Sequence, residues 1–381
     1  FEPAIANDQP VAAAYEVSLP FKPTGTPARS IAEDYFMTQV HDPELVPPGD
    51  PFNPEIPYPR ALESRRLAGE VELLVGINRE GRVDGVQIIR ATHPEFLGAA
   101  LETVAGWECR PARVGLLAVR GKKQAVLSFY TTDETGRDNR ADWMERNGIF
   151  LRNRNDTKIV DYFDEPVEAL HMVDPVYPYA LVAAGTRGGA RVNFTIAPSG
   201  RVIDVVVDEA TAPEFGEAVA AAIASWQFKP LQRHGETVGG DFSFTWKFNE
   251  PRAGSAEQRL LAAAAADQPV SARQLDRPLF PLYRVAPVFP AGRLDAGEAG
   301  QAEIELVIDR DGRVRLPRVR GASRPEFGWA AATAISQWLF ETPRKGSQPV
   351  DVRVVVPVEF KVPVTEPARE KPAVEKVPLE N

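Results

Sequence analysis

An arginine and a glutamate recur at one fixed spacing in three separate stretches of the sequence. The arginine follows a glycine each time, and the glutamate stands between a proline and a phenylalanine. The three pairs are Arg82 with Glu95, Arg201 with Glu214, and Arg313 with Glu326. A carboxylate can act as a general acid or base, and a guanidinium beside it can stabilise negative charge, if the two meet in a cleft. Whether these pairs form a catalytic site depends on the elements that position them.

Other residue types that carry out catalysis do not recur with the pairs. No histidine occupies an equivalent place in all three stretches, and the single cysteine, Cys109, aligns with Phe228 and Phe340. That alignment predicts a core residue rather than a nucleophile. The sequence has no P-loop and no G-x-G-x-x-G motif after a predicted strand. We therefore expect no enzyme activity, no cofactor and no metal site, and a binding role instead.

Each recurrent residue has a local structural interpretation. The glutamates close a Ser/Thr-x-x-Glu pattern, typical of a capping box at a helix start. The hydroxyl partners are Thr92, Thr211 and Ser323. The glycine before each arginine fits a hairpin turn that needs a positive φ. These glycines are Gly81, Gly200 and Gly312. Each predicted helix ends at a tryptophan, which we expect to anchor it in the core. These tryptophans are Trp107, Trp226 and Trp338.

The landmarks occur in the same order in three regions, which we call unit 1, unit 2 and unit 3. An aromatic residue followed by proline opens each unit, at Tyr58, Tyr177 and Phe289. Alternating apolar residues then predict half-buried strands at 70–77, 191–196 and 302–308. The predicted order in each unit is helix, strand, strand, helix, strand. This is an α+β fold class with three tandem small domains, each a three-stranded antiparallel sheet packed on two helices.

The landmarks also set the predicted domain boundaries. Unit 1 covers 54–130, unit 2 covers 174–249 and unit 3 covers 286–361. The remaining segments are a partly extended N-terminal extension at 1–53, connectors at 131–173 and 250–285, and a tail rich in proline and charge at 362–381. The second connector contains a helix candidate at 255–266, with Ser255 and Gln258 as its capping box. We expect three separate domains on a string, each preceded by an extended lead-in.

Composition limits the function classes. The chain has 381 residues and a formal net charge of −9, so no general affinity for nucleic acid or anionic lipid is expected. One cysteine excludes an internal disulfide. No apolar run is long enough for a membrane span. The chain begins at Phe1, which we interpret as a processed or trimmed start. We expect a periplasmic or otherwise exported protein whose signal or anchor has been removed.

The set of landmarks resembles the TonB C-terminal domain family. It combines an opening Tyr-Pro, a Gly-Arg-Val hairpin, a helix that ends in tryptophan, and a proline shortly beyond, at Pro111, Pro230 and Pro343. Unit 3 departs from the pattern with Phe289 in place of tyrosine and with a later Pro343. The resemblance implies a periplasmic module that grips a peptide of an outer-membrane transporter by adding it as a strand to its own sheet. Three such domains stand here where an energy transducer normally has one.

The physical basis of strand addition does not depend on the family. A three-stranded sheet has edges with unpaired N–H and C=O groups, which an extended partner can pair. The last strand of each unit is the candidate edge. The predicted partner-binding residues are Gln124, Val126, Leu127 and Phe129 in unit 1, Phe242, Phe244, Thr245 and Trp246 in unit 2, and Val352, Val354 and Val356 in unit 3. Pro357 removes one donor from the third strand. In the alternative, connectors or neighbouring units cover these edges.

Three functions are consistent with these features. The first is a non-enzymatic interaction module of the cell envelope that binds extended peptides and serves TonB-type energy transduction to outer-membrane transporters. Three weak sites on one chain would then raise avidity. The alternative is a structural subunit of an envelope or extracellular assembly, and a minor alternative is peptidoglycan binding. We expect protein partners in the envelope, no nucleic acid, and no membrane span in this chain.

Overall fold

A computed structural model describes residues 4–6, 9–11, 40–46, 56–131, 142–152, 157–265 and 269–362. Each unit contains three antiparallel strands in the spatial order last, first, second. The first strands are Gly69–Ile77, Gly188–Ile196 and Gly300–Ile308. The second strands are Val83–Ala91, Val202–Ala210 and Val314–Ala322, and the last strands are Gly121–Phe129, Gly240–Phe248 and Val352–Phe360. The predicted α+β class and the three-stranded core of each sheet are confirmed.

Two helices belong to each unit, as predicted. The long helices are Phe96–Ala105, Pro213–Ala224 and Pro325–Ile335. The opening helices are short, and they are the 3-10 helix Arg60–Leu62 and the α-helices Tyr179–Ala183 and Ala291–Asp295. Proline precedes each opening helix, at a place where its missing N–H costs no hydrogen bond. The strands and helices therefore alternate in the order that the landmarks predict.

Short strand pairs complete each unit. The lead-in strands Glu44–Val46, Ala169–His171 and Pro281–Tyr283 pair with Glu108–Arg110, Gln227–Phe228 and Leu339–Phe340 just beyond the tryptophans. A small hairpin then joins Ala112–Val114 to Leu117–Val119, Leu231–Arg233 to Glu236–Val238, and Arg344–Lys345 to Gln348–Pro349. The lead-ins thus lie against the units that they introduce.

The connectors hold further elements. They contain the helices Trp143–Arg146, Ile159–Tyr162 and Ala256–Ala265, the 3-10 helix Ala272–Gln274, and the strands Ile149–Leu151 and Val270–Ser271. Near the start, Ala4–Ala6 pairs with Gln9–Val11, and Val40–His41 pairs with Ala112–Val114. The strand expected at 13–21, most of the proline-rich segment at 46–57 and the tail from residue 363 lie outside the described residues.

Aromatic residues of the repeat meet in the core of each unit. The first phenylalanine of each long helix packs on the phenylalanine that closes the last strand. The ring centroids are 4.6 Å apart for Phe96 and Phe129, 4.7 Å for Phe215 and Phe248, and 4.8 Å for Phe327 and Phe360. Burial of such rings is the main favourable term in a small domain. Residues far apart in the repeat therefore recur together because they contact each other.

The units do not behave as separate domains on a string. The lead-in of unit 2 runs along unit 1, where Met172 donates its backbone N–H to the carbonyl of Thr92 at 2.7 Å. Buried residues of units 1 and 2 form one continuous hydrophobic core. The long helices of units 2 and 3 also pack together, and Trp329 donates its indole N–H to Glu217 at 2.7 Å. The expectation of independent domains is wrong because the lead-ins and helix faces have apolar surface to bury against a neighbouring unit.

A charged cluster joins units 1 and 2. Arg65 donates to Asp174 at 2.6 Å, and the ring of the buried His93 lies 3.2 Å from the same carboxylate oxygen. Burial alone would raise the pKa of Asp174, but Arg65 and His93 outweigh it and hold that pKa well below its usual range. A carboxylate whose pKa is lower in the folded state than in the unfolded state stabilises the fold when the pH is above the unfolded pKa of about 3.9. This stabilisation is lost as the pH falls from there toward the folded pKa. The carboxylate of Asp174 is therefore ionised at neutral and mildly acidic pH.

Candidate partner-binding edges

Among the described residues, the last strand of unit 1 is paired on one side only. Gly121–Phe129 pairs along its whole length with Gly69–Ile77, and within the described ranges no strand pairs with its other side. The side chains of Gln124 and Val126 are exposed, whereas Leu127 and Phe129 are only 2 % exposed. Of the four residues predicted for this edge, two can meet a partner and two pack in the core.

The corresponding edge of unit 2 is occupied. Ile149–Leu151 pairs antiparallel with Phe242–Phe244, and Thr245 donates its backbone N–H to the carbonyl of Gly148 at 3.1 Å. Both predicted phenylalanines are buried, and Trp246 lies beneath the guanidinium of Arg65 at 5.2 Å from its ring centroid. The expectation of an open edge at Phe242, Phe244, Thr245 and Trp246 is therefore wrong.

The strand that fills this edge is firmly anchored by its own connector. Ile149 and Leu151 are buried, as is Trp143 of the preceding helix, whose indole N–H donates to the carbonyl of Val167 at 2.7 Å. Gly148 makes the turn with a φ of 82°, which glycine adopts without steric cost. The sequence did carry a signal for this strand, since a glycine precedes the short apolar run Ile149–Leu151, but pairing with a strand so distant was not deducible.

The edge of unit 3 is covered only in part. Val270–Ser271 pairs in parallel with Val352–Arg353, and an ion pair joins Arg259 to Asp351 beside it. The prediction of a free edge is thus wrong at Val352. Val354 and Val356 lie beyond this short pairing, but their side chains pack against the core of unit 3. Pro357, farther along the strand, has no backbone N–H to donate to a partner.

Hydrogen bonds in unit 2 show which backbone groups face the outer edge. Thr245 donates to Gly148, and the carbonyl of Asp241 accepts from the N–H of Arg152 at 2.9 Å. In an antiparallel strand every second residue directs both backbone groups to the same side. Unit 1 has the same strand, from Gly121 to Phe129, in the same register with its first strand. Val126 holds the place of Thr245, so its N–H faces the open edge.

The recurrent glutamates do not form capping boxes. The long helices of units 2 and 3 begin one residue later than the pattern predicts, with Ala212 and Arg324 as N-caps, and that of unit 1 begins three residues later, with Glu95 as its N-cap. None of the three has a side-chain cap. The hydroxyls instead accept from the first strand. Glu70, Gly189 and Gln301 donate their backbone N–H to Thr92, Thr211 and Ser323 at 3.0, 2.9 and 3.1 Å. The capping interpretation is therefore wrong, and the hydroxyl ties the helix start to the sheet.

Two of the three glutamates form ion pairs instead. Arg313 of unit 3 donates to Glu95 of unit 1 at 2.5 Å, and Arg293 donates to Glu326 within unit 3 at 2.8 Å. Glu214 has no ion pair within the described part of the chain. The arginine and glutamate that could have formed a catalytic pair therefore meet once, and they meet between units rather than within one.

Glu95→Gln is expected to lower the free energy of unfolding by about 1 kcal/mol, because it removes a partly shielded ion pair with Arg313. Glu214→Gln is the matched control, since it changes the same motif position where no ion pair exists. Urea unfolding followed by circular dichroism measures both. Equal losses in the two variants would mean that the carboxylates act on their own helix N-termini and not through Arg313.

The tryptophans and glycines hold the places that the repeat assigns them. Trp226 and Trp338 donate their indole N–H to the lead-in carbonyls of Val173 and Val285, at 3.0 and 2.9 Å. Trp107 is buried in the core of unit 1. The turn glycines Gly81, Gly200 and Gly312 have φ values of 80°, 78° and 79°.

A cavity of about 250 Å³ lies where the three units meet. Its charged lining groups neutralise each other, since Glu95 pairs with Arg313, Glu257 with Arg315, and Asp174 with Arg65. The cavity therefore belongs to the packing between units.

In the described ranges no three His, Cys, Asp or Glu side chains form a group that could hold a metal ion. None of the helices in those ranges has both the length and the apolar character of a membrane span.

Comparisons with known proteins agree with the repeat. A family model described as the Gram-negative bacterial TonB protein C-terminal matches residues 54–130, 173–249 and 285–362. Protein TonB of Pseudomonas aeruginosa is 36% identical over 76 residues, which are 20% of this chain and 22% of that protein. The chain thus matches about a fifth of the length of this relative. The solution NMR structure of the Pseudomonas aeruginosa TonB CTD shares 30% identity, covers 23% of this chain and 91% of its own, and has a TM-score of 0.21.

Proposed function

Because this chain belongs to the Gram-negative bacterial TonB C-terminal family, we propose that it is a non-enzymatic protein-interaction component of the cell envelope. Unit 1 binds an extended peptide as an added strand along the outer edge of Gly121–Phe129. The observation that carries the proposal is the open side of this strand, in a sheet whose counterparts in units 2 and 3 are filled or partly filled by connectors.

Backbone pairing supplies the affinity in this proposal. An edge strand offers a row of unpaired N–H and C=O groups, and an extended peptide satisfies them without rearranging the sheet. The side chains on the exposed face, among them Gln124 and Val126, then select the peptide by contact with every second residue. Unit 2 supplies an internal precedent, since its own connector already pairs with the same side of the equivalent strand.

The family resemblance suggests the partner. A protein of this kind would take the periplasmic peptide of an outer-membrane transporter and take part in TonB-type energy transduction. We do not propose three equivalent peptide sites, because a connector strand pairs with the edge of unit 2 and another pairs with Val352 of unit 3. A single peptide site on a packed three-unit body replaces the three-site avidity that the repeat first suggests.

Val126→Pro is expected to reduce partner capture at least about tenfold, because proline removes the outward N–H and places a ring at the open edge. Val126→Thr keeps the N–H and the β-branched shape, so it is the matched control. A photo-crosslinking residue at Gln124, introduced into the wild-type chain and both variants in cells, reports capture, and mass spectrometry identifies the adducts. The melting temperature of Val126→Pro should stay close to that of Val126→Thr, since the inner ladder is intact.

The adducts also separate the two leading functions. Crosslinked transporter peptides whose yield falls in Val126→Pro but not in Val126→Thr would support energy transduction by strand addition. Undiminished crosslinking in Val126→Pro contradicts the strand-addition site. A fixed set of other envelope proteins favours a structural subunit, for which the close packing of the three units and the self-filled edge of unit 2 are the supporting observations.

A further inference from the structure

The small hairpin of unit 1 carries an exposed apolar tip. Leu116 is 81% exposed and Leu117 is 68% exposed, the largest values for any large hydrophobic side chain in the described residues. Val114, on the other side of the turn, is 42% exposed. Neighbouring leucines at a protruding turn have no core to pack into. Contiguous apolar exposure of this kind marks an interaction site.

The fold does not require these leucines. Units 2 and 3 build the same hairpin from polar residues, with His234 and Gly235 at one turn and Gly346 and Ser347 at the other. In unit 2 the carboxylate of Asp164 accepts the backbone N–H groups of both turn residues, and Asp276 does the same in unit 3. The apolar tip is therefore specific to unit 1.

Cations surround the base of this hairpin. Arg113, Lys122 and Lys123 are exposed and form no ion pair in the part of the chain that the structure describes. Arg110 and Arg120 lie nearby and pair with Glu44 and Asp84. A Cβ added at Gly121 would lie 2.8 Å from the Cβ of Ala112, so the start of the last strand, which carries the two lysines, approaches the base of the hairpin. An apolar tip with a cationic base thus stands on a chain whose net charge is −9.

We propose that this hairpin docks on the anionic surface of a phospholipid bilayer. Leu116, Leu117 and Val114 enter the boundary between headgroups and acyl chains, while Arg113, Lys122 and Lys123 meet lipid phosphates. An apolar surface flanked by Lys and Arg is the combination that binds such an interface without spanning it.

Docking would also orient the open edge of unit 1. The last strand begins at Gly121, directly after the hairpin. A bilayer under the tip would therefore hold the start of that strand near the membrane surface. Lys122 and Lys123 belong to the start of the strand proposed for the peptide, but Val114, Leu116 and Leu117 of the tip do not, so a change at the tip leaves the peptide edge intact. The two proposals can fail separately.

Co-sedimentation of the chain with extruded vesicles tests the proposal. Vesicles of phosphatidylethanolamine with about three parts in ten phosphatidylglycerol should bind the wild-type chain, and phosphatidylcholine vesicles should bind it far less. The double variant Leu116→Ser with Leu117→Ser should lower the partition coefficient at least about tenfold. Raising the salt from about 0.1 M to about 0.5 M should weaken wild-type binding through screening.

The matched control is Ile203→Ser with Val206→Ser, which removes two apolar side chains of unit 2 that are 45% and 59% exposed. It should bind vesicles as the wild type does. Equal vesicle binding by the hairpin variant and the wild type would overturn the proposal, as would absence of wild-type binding. Self-association that the hairpin variant abolishes in sedimentation velocity without lipid would also overturn it, because the tip would then contact a second copy of the chain.

Discussion

Trp226→Ala is expected to lower the free energy of unfolding by about 3–5 kcal/mol, because it opens a large cavity in the core of unit 2. Trp226 is 3% exposed and meets the rings of Phe194 and Phe244 edge-on, at centroid distances of 6.0 and 4.9 Å. Its indole N–H also donates to the carbonyl of Val173 in the lead-in. The substitution therefore removes ring packing and one tie between the core and the segment that contacts unit 1.

Urea unfolding measures the loss of free energy. Two further variants separate the contribution of the indole N–H from that of ring packing and test how the loss depends on burial. Trp226→Phe keeps most of the apolar volume but removes the N–H, so it should cost about 1–2 kcal/mol. Trp338→Ala removes the equivalent residue of unit 3, which is only half-buried, and should cost less than Trp226→Ala. A loss below about 1 kcal/mol for Trp226→Ala would contradict the core role and would indicate an exposed binding platform.

Local patterns predicted the elements well. Alternation of apolar residues identified the first strands, and the hairpin glycines marked the turns, because both signals depend on residues close in the chain. The recurring aromatics predicted a shared core, and Phe96 with Phe129 shows the reason, since the two rings pack on each other across the unit. A repeat amplifies such signals because each copy carries them independently.

The capping patterns show where a local signal fails. Ser255 and Gln258 form half of the predicted box: the backbone N–H of Gln258 donates to the Ser255 hydroxyl, whereas the Gln258 side chain accepts the N–H of Gly254 and not that of Ser255. Thr92 and Glu95 have the same spacing but form no box, because the N–H of Glu70 in the adjacent strand already occupies the hydroxyl. The connector helix also starts beside a sheet, since Glu257 pairs with Arg315 of unit 3, but among the described residues no strand N–H donates to its Ser255 hydroxyl, whereas a first strand does so at each long helix. The pattern alone does not distinguish these surroundings.

The contacts between units could not be predicted from the sequence patterns. Arg65 and Asp174 are 109 residues apart and belong to different units, and neither lies at a position that recurs as charged in all three. The strand Ile149–Leu151 was likewise readable as a short apolar run but not as the occupant of a particular edge. Such pairings depend on the arrangement of whole domains, which no local period encodes.

Three copies of one domain therefore have different surfaces. Connector strands pair with the last strand of unit 2 and with part of that of unit 3, and the long helices of these two units pack together. Among the described residues, unit 1 combines a last strand that is unpaired on its outer side with an apolar, cationic hairpin, and units 2 and 3 do not. A covered or partly covered edge strand offers fewer unpaired backbone groups to an unwanted partner.

Gly200→Ala is expected to destabilise unit 2 by about 3 kcal/mol, through a positive φ and a steric clash together. Gly200 has a φ of 78°, and an added Cβ would lie 2.0 Å from the carbonyl oxygen of Phe228. Phe228 also donates its backbone N–H to the carbonyl of Gly200 at 2.9 Å. The bridge that joins the hairpin to the strand after Trp226 would therefore have to separate before an alanine could fit.

Gly185→Ala measures, within the same unit, the destabilisation that comes from a positive φ without a steric clash. Gly185 has a φ of 67°, but an added Cβ there meets no atom within 4 Å, so the cost should be only about 1 kcal/mol. The difference between the two variants measures the clash with Phe228, and thermal and urea unfolding both report it. Equal costs would mean that the close approach relaxes freely. The recurrence of glycine at positions 81, 200 and 312 would then reflect turn conformation alone rather than contact with the strand beyond the tryptophan.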